Sequence, residues 1–110
     1  MSSLKEASVL GLCSVEDVKM RLGIPLEDNT YDDEIELLIE EASEIAIVML
    51  GQEWPGPEDT PRLVRHATAN IAAGLFKRLR GPSSEESPLF KLGLDELDIY
   101  KRSAGSVART

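Results

Sequence analysis

The sequence predicts an all-α protein, a small bundle of three or four helices. Apolar residues recur at intervals of three and four in several separate segments, which is the spacing of one helix face. Residues that commonly start or end helices flank these segments, and proline and glycine separate them. The 110 residues, with an apolar fraction of 42% and a charged fraction of 29%, fit a single folded domain.

The first helix should follow an N-terminal arm, because residues 1–13 hold no sustained helical period. It is expected to begin at Ser14, whose hydroxyl can accept a hydrogen bond from an unpaired backbone amide. Two acidic residues follow in the first turn, where the helix dipole favours negative charge. The helix should end by Gly23, since Pro25 disfavours a helical residue before it.

The second helix is the clearest of the four and should run from Asp32 to Leu50. Three acidic residues open it, and isoleucine, leucine and alanine then recur at spacings of three and four. Gly51 is the expected terminating residue. Such a helix would be about 28 Å long, enough to form the backbone of a small bundle.

The third helix should begin at Thr60, acting as a hydroxyl cap, with Pro61 at the first helical position. Small residues near Gly74 should permit close approach of another helix. Basic residues in the last turn complement the helix dipole, and Gly81 ends the helix. The sequence therefore predicts a helical core domain over residues 14–80.

The remainder of the chain is less regular. We expect a polar linker at residues 81–87 and a short fourth helical segment at residues 88–102, in which Gly93 is a weak point. Residues 103–110 are small and polar and are expected to form a mobile tail.

Charge is divided unevenly along the chain, whose net charge is −8. Residues 1–60 hold 15 acidic and 3 basic side chains, a balance of −12, whereas residues 61–110 hold 5 acidic and 9 basic ones, a balance of +4. This division suits contact between neighbouring copies of the chain, although two solvated helix faces of different sign would give the same pattern. The overall acidity argues against a simple DNA-binding module, which needs a concentrated basic patch.

No combination of residues predicts catalysis. His66, the only histidine, has no second ligand at helical spacing, so we interpret it as a structural or surface residue. Cys13, the only cysteine, is expected to be a small apolar residue near a helix start. The acidic cluster that begins at Asp28 lacks the pattern of a calcium loop, and no glycine-rich phosphate loop is present. We therefore expect no enzyme activity, no metal and no cofactor.

The sequence also gives no indication of membrane targeting. The first dozen residues lack a continuous apolar stretch, and no apolar run approaches the ~20 residues that span a bilayer. We expect no signal peptide, no membrane partner and synthesis in the cytoplasm.

A series of short motifs over residues 14–80 occurs in a specific order. The motifs are Ser14-Val15-Glu16-Asp17-Val18-Lys19, Leu22-Gly23-Ile24, Asp32-Asp33-Glu34-Ile35, Thr60-Pro61, Leu63-Val64-Arg65-His66-Ala67 and Phe76-Lys77-Arg78. Their order and spacing resemble those of the small head–tail connector (adaptor) proteins of long-tailed phages and prophages. The loop at residues 52–59 lies outside the matched pattern.

The resemblance implies a structural subunit of the virion neck, made in the host cytoplasm. Such proteins are helical bundles that form a ring on the portal vertex after the genome has been packaged. The ring matches the portal's twelvefold symmetry, extends the DNA channel and offers a platform to stopper or tail proteins. The implied partners are further copies of the chain, the portal protein, a tail or stopper protein, and double-stranded DNA that passes without sequence-specific binding.

Two sets of residues are candidates for these contacts. Portal docking would use apolar residues of the fourth segment, namely Phe90, Leu92, Leu97 and Tyr100. Contact between copies, or the channel wall, would use Glu36, Glu40, Glu44, Lys77, Arg78, Arg80 and Trp54. Glutamates in a channel wall would repel phosphate and let DNA slide. For the three cations, helix-end charge pairing and phosphate contact are both open, and Trp54 either anchors an interface or packs under its own loop.

The main alternative is a small helical regulator or protein-interaction module of bacterial origin, monomeric or dimeric, that shares only the helix-start and helix-end residues. A second alternative is a DNA-binding protein that reads DNA with its third helix, which would bind DNA tightly and in a salt-dependent manner.

Overall fold

A computed structural model describes residues 11–81 and 87–108 of the chain, with side chains as far as residue 103. These described ranges contain four α-helices, and a 3₁₀ turn (Pro57–Asp59) precedes the third of them. The helices are α1 (Val15–Leu22), α2 (Asp32–Leu50), α3 (Arg62–Arg80) and α4 (Pro88–Ala108). The described ranges contain no β-strand, so the predicted all-α fold is confirmed.

Helix α1 has the start and the end that its sequence predicts. The Ser14 hydroxyl accepts a hydrogen bond from the Asp17 backbone amide at 3.2 Å, and the Asp17 carboxylate accepts one from the Ser14 amide at 3.0 Å. These two bonds form a capping box, which pairs two backbone donors that the helix itself leaves free. Gly23 ends the helix with a φ of 74°, a left-handed conformation that favours glycine.

Helix α2 spans the predicted residues, Asp32 to Leu50, and Gly51 ends it with a φ of 67°. One face is buried against the rest of the bundle. The buried residues are Ile35, Leu38, Ile39, Ala42, Ser43 and Ala46. Their spacing of three and four residues is the periodicity that predicted the helix.

The start of helix α3 differs from the prediction. Thr60 does not cap the helix, because its hydroxyl donates instead to the Gly56 carbonyl at 2.7 Å and closes the preceding turn. Pro61 occupies the cap position, and the first helical residue is Arg62. The loop therefore uses the threonine that local sequence rules assign to the helix.

Helix α3 lies at the centre of the bundle and contacts the other three helices. It runs antiparallel to α4, and the two approach closely at glycines. A Cβ atom on Gly74 would lie 2.7 Å from the Phe90 backbone nitrogen, and one on Gly93 would lie 2.6 Å from the Ala67 carbonyl oxygen. Gly93, expected to weaken the fourth helix, is thus the position at which that helix packs against α3.

The two ends of the chain differ from the predicted boundaries. Of the predicted arm, residues 1–10 lie outside the described range, but Leu12 and Cys13 are buried in the core. The Leu12 amide donates to the Ser43 hydroxyl at 3.0 Å, which fixes this segment against α2. At the other end, α4 continues to Ala108, past residue 103, where the sequence predicted a tail. Residues 82–86 of the predicted linker also lie outside the described range.

Candidate functional site

The residues that could carry chemistry are not brought together. His66 is exposed on α3, and Cys13 is only 3% exposed. Burial, with a smaller contribution from the Asp17 carboxylate, raises the pKa of the Cys13 thiol to about 12, so a reactive thiolate is disfavoured. Among residues 11–81 and 87–108, no group of three or more histidine, cysteine, aspartate or glutamate side chains could hold a metal.

The acidic cluster around the start of α2 is divided among separate partners. Asp28 accepts hydrogen bonds from the amide and hydroxyl of Thr30. Asp32 lies 2.9 Å from the Lys19 ammonium. Glu34 pairs with a cation at the end of α3, described below. These three carboxylates therefore have structural partners of their own, in agreement with the interpretation as helix-start charge.

Lys19 is the most unusual of these partners, since its side chain is only 2% exposed. Its ammonium donates to the Leu26 carbonyl at 3.0 Å and lies 3.5 Å from the Asn29 side-chain oxygen. Asp32 Oδ1 accepts no well-oriented hydrogen bond, so the contact with Lys19 is mainly electrostatic. The lysine holds the loop between α1 and α2, a role that its position on α1 did not reveal.

The cations at the end of α3 fall into two kinds. Arg80 makes a two-pronged ion pair with Glu34, at 2.6 and 2.7 Å, and its guanidinium stacks 3.8 Å from the Phe76 ring centre. Arg80 therefore joins α3 to α2 within the chain. Lys77 and Arg78 are exposed and form no ion pair with any residue of the described ranges.

A groove lies beside this basic end. The groove, called here the end groove, has a volume of about 350 Å³ and is lined by Leu22, Ile24, Tyr31, Phe76, Lys77 and Arg80. Its walls are mainly apolar, and the two cations stand at its rim. Such a groove fits an apolar side chain that has acidic neighbours.

The outer face of α2 is acidic and fully accessible. The predicted row of Glu36, Glu40 and Glu44 is exposed along its whole length. Two large apolar residues, Leu37 and Val48, lie on the same side of the helix and are 65% and 78% exposed. These two apolar residues do not contribute to the chain's own core, because the opposite face of α2 is the buried one. The outer face of α2 is therefore a candidate contact surface.

The predicted portal-docking residues are split between core and surface. Leu97 is completely buried, and Phe90 and Tyr100 are half-buried against the core. These three therefore contribute to the chain's own core, and Leu97, predicted as a portal-docking anchor, has no surface exposed to a partner in the folded chain. Leu92 is 46% exposed, and Ile99, seven residues further on and 48% exposed, lies on the same face of α4.

Trp54 packs against α4 of its own chain. It is half-buried against the core, and its ring meets that of Tyr100 edge to face, with centres 6.3 Å apart. This geometry is a favourable one for aromatic pairs. The loop that carries Trp54 is thereby attached to α4.

A polar network that the sequence analysis did not predict joins three helices. The buried Asn70 of α3 accepts a hydrogen bond from Arg21 of α1 at 2.6 Å and donates one to Glu96 of α4 at 2.8 Å. Close by, Arg65 of α3 pairs with Asp17 of α1 at 2.7 Å. A lone asparagine within an apolar helix face was the one sequence signal for this network.

The Asp17–Arg65 pair should make stability depend on acid pH. Burial alone would raise the pKa of Asp17, but hydrogen bonds from Arg65 and Ser14 outweigh it and hold the pKa below the ordinary 3.8. The pair therefore stabilises the fold above that pH, and this stabilisation is lost as the pH falls below it. In urea unfolding, the wild type should lose more stability between about pH 6 and about pH 3 than Asp17→Asn does. An equal loss in both proteins would contradict this assignment.

Among the described residues, no helix is long and apolar enough to cross a membrane.

Comparison with known proteins matched residues 13–89 to the family described as phage gp6-like head-tail connector protein. No curated protein and no solved structure gave a significant match. The family match covers more than half of the chain and includes the whole region of the sequence motifs. The chain therefore belongs to the phage gp6-like head–tail connector family.

Proposed function

We propose that the chain forms a ring on the portal vertex of a tailed phage, extends the DNA channel there and provides a docking site for tail or stopper proteins. Family membership supports a structural role in the head–tail connector and a location in the virion. Its action is assembly, in which no covalent bond is made or broken.

The observation that carries the proposal is the separation of charge on the surface. The outer face of α2 presents Glu36, Glu40 and Glu44, whereas the end of α3 presents Lys77 and Arg78. Copies in a ring are related by rotation, so each contact joins two different surfaces of the subunit. Opposite charge on those surfaces favours head-to-tail contact and opposes contact between like surfaces.

The glutamate row has a second possible use in the same ring. Where it faces the axis, it would line the channel and repel the DNA phosphates, which lets double-stranded DNA pass without being held. A ring structure in which all three glutamates face the outer perimeter would rule out this part of the proposal.

The portal contact is assigned to the outer face of α4. Leu92 and Ile99 are exposed there, while Phe90, Leu97 and Tyr100 serve the chain's own core. The proposed docking surface is therefore the pair of exposed apolar residues Leu92 and Ile99, with the exposed Asp95 between them, and not the whole set that the sequence suggested.

Native mass spectrometry and negative-stain imaging of the chain, alone and mixed with its portal, would test the proposal. We expect rings, with twelve copies on each portal. The double variant Leu92→Lys, Ile99→Lys should fold normally by circular dichroism and lose at least tenfold in portal affinity, since it places charge in an apolar contact. Met20→Lys is the matched control, because Met20 is 70% exposed on α1.

A wild-type chain that stays monomeric or dimeric and ignores the portal would contradict the proposal and favour a helical regulator. In that case, tight and salt-dependent DNA binding would identify a DNA-binding protein.

A further inference from the structure

We infer that Leu37 of one copy inserts into the end groove of the next copy, and that this contact holds neighbouring subunits together. The inference rests on the proposed ring, and it names the residues that would join its subunits. It uses an apolar anchor and an apolar groove, in addition to the charges considered above.

The anchor is an exposed apolar side chain on α2 with acidic neighbours. Leu37 is 65% exposed and points away from the buried face of the helix. Its neighbours one turn before and one turn after are acidic: Asp33, Glu40 and Glu41 are exposed, and Glu34 pairs with Arg80. An exposed leucine with acidic neighbours is poorly suited to solvent and well suited to an apolar groove with basic residues beside it.

The end groove has the matching chemistry. Tyr31 and Phe76 form an edge-to-face pair in its wall, with ring centres 5.5 Å apart, which gives a rigid apolar surface. Lys77 stands at its rim and Arg78 is exposed next to it, and neither has an acidic partner within residues 11–81 and 87–108. Charge complementarity therefore selects a second copy of this acidic chain as the occupant.

The position of the two surfaces permits a continuing assembly. The end groove is lined by residues of α1, of α3 and of the segment before α2, whereas Leu37 is exposed on α2, one turn beyond the Glu34 that pairs with Arg80. One copy can thus offer its leucine to one neighbour and its groove to another, which is a heterologous contact. Glu36 lies about 100° around the helix from Leu37, so part of the glutamate row remains free to face the channel.

Two complementary variants test the contact. Leu37→Arg damages the anchor and keeps the groove, whereas Lys77→Glu damages the groove rim and keeps the anchor. Each variant alone should associate at least tenfold more weakly than the wild type in sedimentation velocity. A mixture of the two retains one intact contact per pair, so it should form dimers and no rings. Met20→Arg, on the exposed side of α1, should assemble as the wild type does.

Crosslinking provides a second measurement that does not depend on affinity. A short bis-maleimide should join Leu37→Cys in one copy to Lys77→Cys in another, and Cys13 is too buried to compete. The same reagent should fail to join Met20→Cys to Lys77→Cys.

Rings of Leu37→Arg with wild-type stability, or wild-type rings without the specific crosslink, would overturn the inference and leave the ring proposal standing. A wild type that never assembles, alone or on the portal, would overturn both.

Discussion

Lys19→Met should lower the free energy of unfolding by about 3 kcal/mol, because it removes one partner of a buried ion pair. The substitution keeps most of the side-chain volume but leaves the Leu26 carbonyl and the Asp32 carboxylate without their cation. Asp32 is 30% exposed and can be partly rehydrated, so the expected loss is at the lower end of the range for buried pairs. Urea denaturation followed by circular dichroism would measure it.

Arg102→Met provides the matched control. The Arg102–Asp98 pair has a similar separation of 3.0 Å, but its side chains are 72% and 55% exposed. Exposed pairs of this spacing contribute about 0.5 kcal/mol or less, so the control should be close to the wild type. Equal losses in the two variants would show that burial does not strengthen the Lys19 pair. The double variant Lys19→Met, Asp32→Asn should lose less than the sum of the single variants.

Gly74→Ala combined with Gly93→Ala should force α3 and α4 apart and destabilise the bundle by about 2–4 kcal/mol in total. Each added Cβ would meet backbone atoms of the other helix at less than 3 Å, and backbone cannot move aside as a side chain can. Alanine favours a helix over glycine by about 1 kcal/mol at each site, which offsets part of the loss. The thermal midpoint should fall by about 10 °C or more.

Gly56→Ala separates this effect from the loss of glycine itself. A Cβ there would meet no atom within 4 Å, and the φ of −175° is accessible to any residue. Its thermal midpoint should remain that of the wild type. A double variant at Gly74 and Gly93 that is as stable as the wild type would mean that the two helices can separate without loss of packing.

Sequence rules predicted those elements whose signals are local. Helix α2 begins and ends where its acidic residues and Gly51 indicated, because capping and periodicity act within a few residues. Thr60 shows the limit of such local rules. Its hydroxyl can either cap a helix or close a loop, and in this protein it donates to the Gly56 carbonyl and closes the loop. Lys19 could not be recognised as buried, since its oxygen partners come from a loop folded back onto α1.

The charged residues of the candidate site could be predicted from the sequence, but the directions in which their side chains point could not. The sequence identified the exposed glutamates of α2 and the basic end of α3. It did not separate Arg80, which pairs with Glu34, from Lys77, which forms no ion pair among the described residues. In the sequence of α4, an apolar residue that faces the chain's own core cannot be distinguished from one that would face a partner. Only the packing of α4 on α3 assigns Leu97 to the core and Leu92 to the surface.

The hydrogen bonds of Asn70 determine the register of α4 along the bundle. If α4 slid by one turn, about 5.4 Å, Glu96 would leave the Asn70 amide, and a buried unpaired donor costs about 1–3 kcal/mol. The same slide would replace Gly93 by a larger residue where the two helices approach most closely. The positions of Leu92 and Ile99 relative to the rest of the bundle are therefore fixed, both along the axis of α4 and around it. In the proposed portal contact, a buried asparagine would thus determine how the subunit aligns with its partner.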